Sequence, residues 1–206
     1  ATGKTGIIAT DATYHGNTMA VSQLSTRKPP IGGRWPNVRL VPAPDSLKRP
    51  DPDGSIFAGH VAQAVKELEE AGFGCSGILL CPMFANEGLP TLPRGWLDKT
   101  LATIRAAGGI VIADEVQPGF GRAGSHFWGH DKMGFAPDVV TMGKPMANGH
   151  PVAACLATPA VMAAASISAG GKAASPPSSR SAGPSRKAAN STWRSSSSRP
   201  PRAKSS

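Results

Sequence analysis

The chain has 206 residues, 40% of them hydrophobic, and a formal net charge of +9; this length can hold one domain with a buried core, or a domain and a tail. The charge does not mark a nucleic-acid binder. Eight of the 22 basic residues (Lys172, Arg180, Arg186, Lys187, Arg194, Arg199, Arg202 and Lys204) lie with no acidic residue in 166–206, leaving 14 against all 13 acidic residues in 1–165, the balance of an ordinary domain.

The first predicted element is the apolar run Gly6-Ile7-Ile8-Ala9-Thr10, suited to a buried strand, with the polar and aromatic loop from Asp11 to Thr18 after it. Residues 26–53 are crowded with Pro and Gly around one predicted strand, Val38-Arg39-Leu40-Val41. Over residues 56–72, Val61, Ala64, Val65 and Leu68 recur at helical spacing, and Gly72 stands where a helix end takes the left-handed conformation. A second buried strand is predicted over Gly77-Ile78-Leu79-Leu80-Cys81-Pro82, and a second helix opens at Pro93 and carries Trp96, Leu97, Leu101 and Ile104 to Gly108-Gly109. Ile110-Val111-Ile112-Ala113 is apolar at every position, as expected of a parallel strand with helices on both faces. Val139-Val140-Thr141-Met142 and residues 152–157 read as further strands, and Pro159-Ala160-Val161-Met162 starts a helix. Strands alternating with helices give an α/β class with a mostly parallel sheet.

Beyond residue 165 the sequence turns to Ser, Arg, Pro, Ala and Gly, with the block Ser195-Ser196-Ser197-Ser198. Such a stretch buries too little apolar surface to offset its ordering entropy, so the domains are expected as 1–165 folded and 166–206 disordered. The abrupt change suggests translation in a wrong reading frame. The chain opens at Ala1 rather than Met and runs at once into a strand, so a preceding portion is expected too. Cys75, Cys81 and Cys155 are too few and too scattered for a zinc site or a disulfide framework, and read as buried thiols in a reducing compartment. No apolar run approaches the roughly 20 residues of a membrane span, and no leader is recognisable. The expectation is a cytoplasmic protein with no membrane partner.

Asp114-Glu115-Val116-Gln117 follows the all-apolar strand, which sets a carboxylate at that strand's C-terminal end, where open α/β sheets bind ligands. A half-buried carboxylate there needs a cationic partner. Thirty residues on, Lys144 in Thr141-Met142-Gly143-Lys144-Pro145 follows another apolar strand and reaches the same crevice. Two readings stand: a structural Asp–Lys ion pair, or a Schiff-base lysine with the Asp on a cofactor's ring nitrogen.

The surrounding residues favour the second. Asp114 to Gln117, Gly119 to Arg122, Trp128-Gly129, Pro137-Asp138 and Gly143-Lys144, with Tyr14-His15-Gly16 upstream and Asn148-Gly149 and Pro151 downstream, occur in family order. Over about residues 1–164 the chain resembles the class III aminotransferases of the type I pyridoxal-phosphate fold. The resemblance implies an incomplete large domain that binds pyridoxal 5'-phosphate and a transaminase moving an amino group between an amine or amino acid and a keto acid or aldehyde, in a homodimer. It implies that Lys144 forms the Schiff base and shuttles the proton, Asp114 pairs with the pyridinium nitrogen, Gln117 lies near the phenolic oxygen and Tyr14 stacks on the ring. His15 reads as a structural turn residue. Many members place a Glu where Cys81 stands, and Glu87 is a nearby substitute. The family's phosphate-binding loop would precede Ala1, and its partner-facing threonine and small domain would follow residue 165, so the chain itself is expected to be inactive and poorly soluble. Decarboxylases and phospho-lyases built on the same site are relatives.

Other motifs carry less. Gly119-Phe120-Gly121-Arg122-Ala123-Gly124 fits the dinucleotide fingerprint, but no helical pattern follows it; Gly3-Lys4-Thr5 precedes a strand, whereas a P-loop follows one. His126 and His130 have ligand spacing, but Gly129 lies between them and no third ligand is apparent, so a surface loop is expected and no metal. Two further readings are a cofactor-binding remnant without turnover and polyanion binding through the basic tail. The tail has Trp193 as its one aromatic and no recognition module, so no specific nucleic acid is expected.

Overall fold

The computed structural model describes residues 1–26 and 30–168; the Ser/Arg/Pro-rich stretch predicted to be disordered lies almost entirely outside the described residues. Six strands form one sheet in the order β2-β1-β3-β4-β5-β6: β1 Gly6–Thr10, β2 Val38–Val41, β3 Cys75–Leu80, β4 Ile110–Asp114, β5 Val139–Met142 and β6 Ala154–Ala157. The first five are parallel, and β6 runs antiparallel to β5. The helices are α1 Met19–Ser22, α2 Ser55–Glu70, α3 Asp98–Ala106, α4 Gly129–Met133 and α5 Pro159–Ser168. The mostly parallel sheet expected from the sequence is the one found.

Strand alternation sorts the apolar residues into two clusters. Ile8, Ile78, Leu80 and Val111 turn to one face, where they meet Val61, Ala64 and Leu68 of α2 and Ile104 of α3. Ala9, Leu79 and Val38 turn to the other, with Leu24 and the partly buried Ile7, Leu40 and Ile112. Each fully buried aliphatic side chain contributes about 1.5–3 kcal/mol, so the first cluster dominates. Helix α2 ends as predicted: Gly72 has φ +77°, and the amides of Phe73 and Gly74 both close on the Leu68 carbonyl, at 3.0 and 3.1 Å. Lys4, from the discarded P-loop match, donates to Glu69 Oε1 at 3.0 Å and to the Ala107 carbonyl at 2.8 Å, tying together the C-terminal ends of α2 and α3.

The second helix starts at Asp98, not at Pro93. Gly95, at φ +82°, breaks the pattern, and its amide bonds to the Met133 carbonyl at 2.9 Å. Residues 93–97 instead form turns that bury Trp96 and Leu97. The Trp96 ring packs on Phe57 at 5.2 Å and on Phe84 at 6.1 Å, and its Nε1–H donates to the Asp51 carbonyl at 2.5 Å. Strand β3 begins two residues before its predicted start, at Cys75. Strand β6 begins two residues later than its prediction, at Ala154, because Val152 closes a turn onto the His150 carbonyl at 2.8 Å.

The strand order contains the feature that positions the site. From β1 the chain steps outward to β2, then returns across β1 through α2 to β3. The connections out of the neighbouring strands β1 and β3 run to opposite sides, to β2 and β4, and ligand crevices form outside the carboxyl ends of strands at such a switch.

Candidate active site

A cavity of about 260 Å³ opens at that carboxyl edge, lined by Tyr14, His15, Gly16, Cys81, Asn86, Asp114, Val116, Gln117 and Lys144. The four residues singled out from the sequence, Tyr14, Asp114, Gln117 and Lys144, thus share one cavity. They come from the ends of three different strands: the loop after β1, the end of β4 and the turn after β5. The hollow among Pro44, Arg49 and Trp96 gathers no comparable set of reactive groups.

Asp114 is 9% exposed. Its Oδ1 accepts the Val116 amide at 3.0 Å, a short local bond that fixes the turn after β4. Its Oδ2 accepts His15 Nδ1 at 2.7 Å, and Thr13 Oγ1 lies 3.0 Å from the ring's other nitrogen. The place of the cationic partner expected for this carboxylate is taken by the His15 imidazole, whose side chain is 2% exposed. The Asp–Lys ion pair is overturned: among the described residues, no ion pair joins Asp114 to Lys144. His15, expected as a structural turn residue, also bonds to the cavity carboxylate, a contact no local pattern could signal because the partner is 99 positions away.

Lys144 opens a 3-10 turn, Lys144–Ala147, at φ +41°. A non-glycine residue in this region carries strain on the order of 1–3 kcal/mol, a feature concentrated at functional sites. The lysine is exposed to the cavity mouth, whereas Gly143 before it is buried.

Cys81 lines the cavity, and burial pushes its thiol up to about 12, so the position offers no charge. Glu87 does not replace the missing carboxylate. Its Oε1 accepts the Thr10 hydroxyl at 2.5 Å, and the cavity is lined instead by Asn86, whose amide nitrogen donates to the Tyr14 carbonyl at 3.3 Å. Cys75 is buried as expected, but Cys155 is exposed, because β6 is the sheet's edge strand.

The remaining motif residues build the frame. Glu115, fully buried, accepts the amides of Gly129 at 2.9 Å and His130 at 2.7 Å, and His130 Nδ1 at 2.8 Å. His130 is thus held in α4 rather than in the surface loop expected, while His126 pairs with Ser125 at 2.8 Å. Asp138 Oδ2 accepts the Val111 amide at 2.7 Å and the Arg105 guanidinium, clasping α3 to β4. Gly119 lies against Glu115 and Trp128, where a Cβ would come 2.7 Å from the Glu115 carbonyl oxygen. The Gly-Phe-Gly-Arg run is a packed turn, with the Gly121 amide on the Phe127 carbonyl at 3.0 Å, and not the start of a dinucleotide-binding helix.

An open, mostly parallel sheet with an acid, an amine and an aromatic ring at its carboxyl edge is the arrangement of the fold expected from the sequence. The chain belongs to the class-III aminotransferase family, whose model matches residues 1–178. It is 34% identical over 166 residues to the alanine–glyoxylate aminotransferase 2-like protein of Drosophila melanogaster, covering 75% of this chain and 34% of that protein. To the mitochondrial alanine–glyoxylate aminotransferase 2 of Homo sapiens it is 45% identical over 86 residues, 42% of this chain and 17% of that one. Among solved structures, a phospholyase from Arthrobacter in complex with phosphoethanolamine matches with TM-score 0.74 and 38% identity, over 81% of this chain and 40% of that one. An omega transaminase from Pseudomonas jessenii in complex with PMP matches with TM-score 0.71 and 25% identity, over 82% and 40%. The chain thus spans at most about a third of the curated relatives named and two fifths of the structures. The expected fold, the large domain of the type I pyridoxal-phosphate transferases, is the one it shares with them. No described helix is long and apolar enough to cross a membrane.

Proposed function

We propose that this chain forms the cofactor half of a transaminase site that takes pyridoxal 5'-phosphate and moves an amino group between an amine or amino acid and a keto acid or aldehyde. The observation that carries the reading is the convergence of Tyr14, Asp114, Gln117 and Lys144 on one cavity. The donor set fits the group. Asp114 faces the cavity with one donor on each oxygen, and a carboxylate can accept about four, so lone pairs remain for a protonated ring nitrogen. Tyr14 offers an aromatic face, Gln117 an amide for the phenolic oxygen, and Lys144 an amine that would hold the cofactor covalently.

The bound cofactor supplies an electron sink for a carbanion at the substrate's α-carbon. The rest is the work of this chain's own groups. Lys144 Nζ would be the base that takes the substrate's α-proton and the acid that gives it up again. Asp114 keeps a positive charge on the ring nitrogen favourable by Coulomb attraction in a site of low dielectric. Cys81 and Asn86, both uncharged, leave the inner wall without the carboxylate that many relatives carry. The family's homodimer, a small-molecule amine and keto-acid pair, and a cytoplasmic location complete the proposal; the human relative is named as mitochondrial.

A second reading, elimination of phosphate from an amino-alcohol phosphate at the same site, is favoured by the 38% identity to the Arthrobacter phospholyase. Release of inorganic phosphate from phosphoethanolamine distinguishes it from transamination. For both, the test is the absorption spectrum of the purified chain with added pyridoxal 5'-phosphate, followed by borohydride reduction and peptide mapping. A near-visible band and a label on Lys144, both lost in Lys144→Ala, are expected. Label spread over other lysines, with the variant unchanged, refutes the site.

A further inference from the structure

A second hollow, of about 150 Å³, adjoins the cavity and shares Gln117 with it. Met83, Ala85, Leu89 and Pro118 give it an uncharged wall, and among the described residues Arg122 is the charged one that lines it. A water molecule takes roughly 30 Å³ of liquid, so the space admits a carboxylate or phosphate group with part of its stem.

The Arg122 guanidinium is exposed and uncommitted. Arg39 pairs with Glu67 and Arg105 with Asp138, and Arg94 donates to the carbonyls of Asp131 and Lys132. Among the described residues Arg122 enters no ion pair. Its backbone is nonetheless fixed. The Gly124 amide closes a turn onto the Gly121 carbonyl at 2.9 Å, with Arg122 at its second position, and the Gly121 amide bonds to the Phe127 carbonyl at 3.0 Å. Phe120 packs edge-on against Phe127 and Trp128, at 5.5 and 5.2 Å. Leu89 and Phe120, on either side of the hollow, take left-handed φ of +54° and +61°, a conformation rare for bulky side chains and concentrated at binding sites.

An arginine is charged at every working pH and presents its N–H donors in a planar fork that matches the oxygens of a carboxylate or phosphate. Beside an apolar wall such a pair is screened less than in open water. No carboxylate of the described residues lines the hollow, so the complementary anion comes from outside the chain. We propose that the hollow is a substrate subsite: Arg122 grips a distal acidic group, carboxylate or phosphate, on the amine that reacts beside Lys144, and Met83, Leu89 and Pro118 cover the carbon stem between. Arg122 then determines specificity, favouring acid-bearing amines over plain alkylamines. This rests on the reading of the adjoining cavity as the pyridoxal 5'-phosphate site.

The test uses the full chain as wild type, Arg122→Gln and Arg122→Lys in two measurements. Without cofactor, ¹H–¹⁵N NMR follows the Arg122 Nε–H resonance, assigned by its loss in Arg122→Gln. A saturating shift with acetate or inorganic phosphate is expected, and a shift no larger than chloride gives at the same concentration overturns the subsite. With pyridoxal 5'-phosphate bound, three probes compete with Lys144 for the cofactor's aldehyde: 3-aminopropanoate, phosphoethanolamine and propylamine, in which a methyl replaces the acid. Loss of the borohydride label from Lys144 reads the half-saturating concentration of each, without turnover. In the wild type an acid-bearing probe is expected to act at a concentration on the order of tenfold or more below that of propylamine, the effect of one charge-assisted pair. The advantage should vanish in Arg122→Gln and persist in part in Arg122→Lys, which keeps the charge without the fork. The acid probe with the larger advantage tells a carboxylate source from a phosphate one. Equal values for the three probes in the wild type, or an advantage that survives Arg122→Gln, overturn the subsite and leave the cofactor site standing. A wild type with no label on Lys144 before any probe is added overturns the cofactor site, and the subsite with it.

Discussion

Replacing the buried Glu115 by glutamine tests whether the motif's second acid is a structural clamp. The carboxylate is 0% exposed. It accepts three donors: Oε2 takes the Gly129 amide at 2.9 Å, and Oε1 takes the His130 amide at 2.7 Å and His130 Nδ1 at 2.8 Å. Two effects oppose each other in Glu115→Gln. Removing a buried charge relieves its desolvation. The amide, however, keeps one acceptor oxygen and turns an NH₂ donor toward the Gly129 N–H, leaving a buried donor unpaired at about 1–3 kcal/mol. With three donors already replacing water around the carboxylate, the lost bond wins, and the expected change is a loss of about 2 kcal/mol. At a urea slope of roughly 2 kcal/mol/M this lowers the unfolding midpoint by about 1 M with the slope unchanged. Glu115→Ala orphans all three donors and leaves a void, for roughly 3–5 kcal/mol. A glutamine variant as stable as the wild type, or more stable, would show that desolvation outweighs the bonds and would refute the clamp.

Two further predictions concern titrating groups. Burial pushes the Cys81 thiol up to about 12 and raises Cys75, while Cys155 is exposed. A thiol-disulfide reagent at pH 8 should therefore modify one cysteine promptly and the other two only in denaturant, and three equal rates would contradict the packing of β3. The Lys99 ammonium, 2.6 Å away, together with the hydroxyl and amide of Ser55, holds the Asp53 carboxyl down to about 2. A depressed folded-state value means the contribution to stability is present above the ordinary 3.8 and is lost as pH falls through about 2. A carboxyl-carbon NMR titration should give a midpoint near 2 that returns toward 3.8 in Lys99→Met; a wild-type midpoint already at the ordinary value would deny the contact.

Where local pattern decides structure, the sequence was readable. Val61, Ala64 and Leu68 recur at helical spacing because one face of α2 is buried, and the run over β4 is apolar because its side chains alternate between the two clusters. Elements too short to show a period were not readable: α1 has four residues and α4 five. The start of α3 was misplaced because Pro93 is a good first residue for a helix, while the interruption depends on Gly95 bonding to Met133, 38 positions away. The same limit hid His15, which is an ordinary loop residue until the fold brings the end of β1 beside the end of β4.

The Asp-Glu-Val-Gln motif shows why chemistry was easier to locate than to apportion. A strand sends successive side chains to opposite faces, so two adjacent acids at its end part company. Asp114 enters the cavity and meets His15, while Glu115 turns into the protein and receives the start of α4. Val116 then lends its amide to Asp114, and Gln117 reaches the cavity again. One four-residue word therefore encodes a cavity carboxylate, the clamp that supports its strand end, the backbone donor that sets its angle and a second polar group beside it. Which acid does which follows from the alternation once the strand's last residue is known. That the cavity acid is held by an imidazole rather than by the lysine that lines the same cavity follows only from the fold.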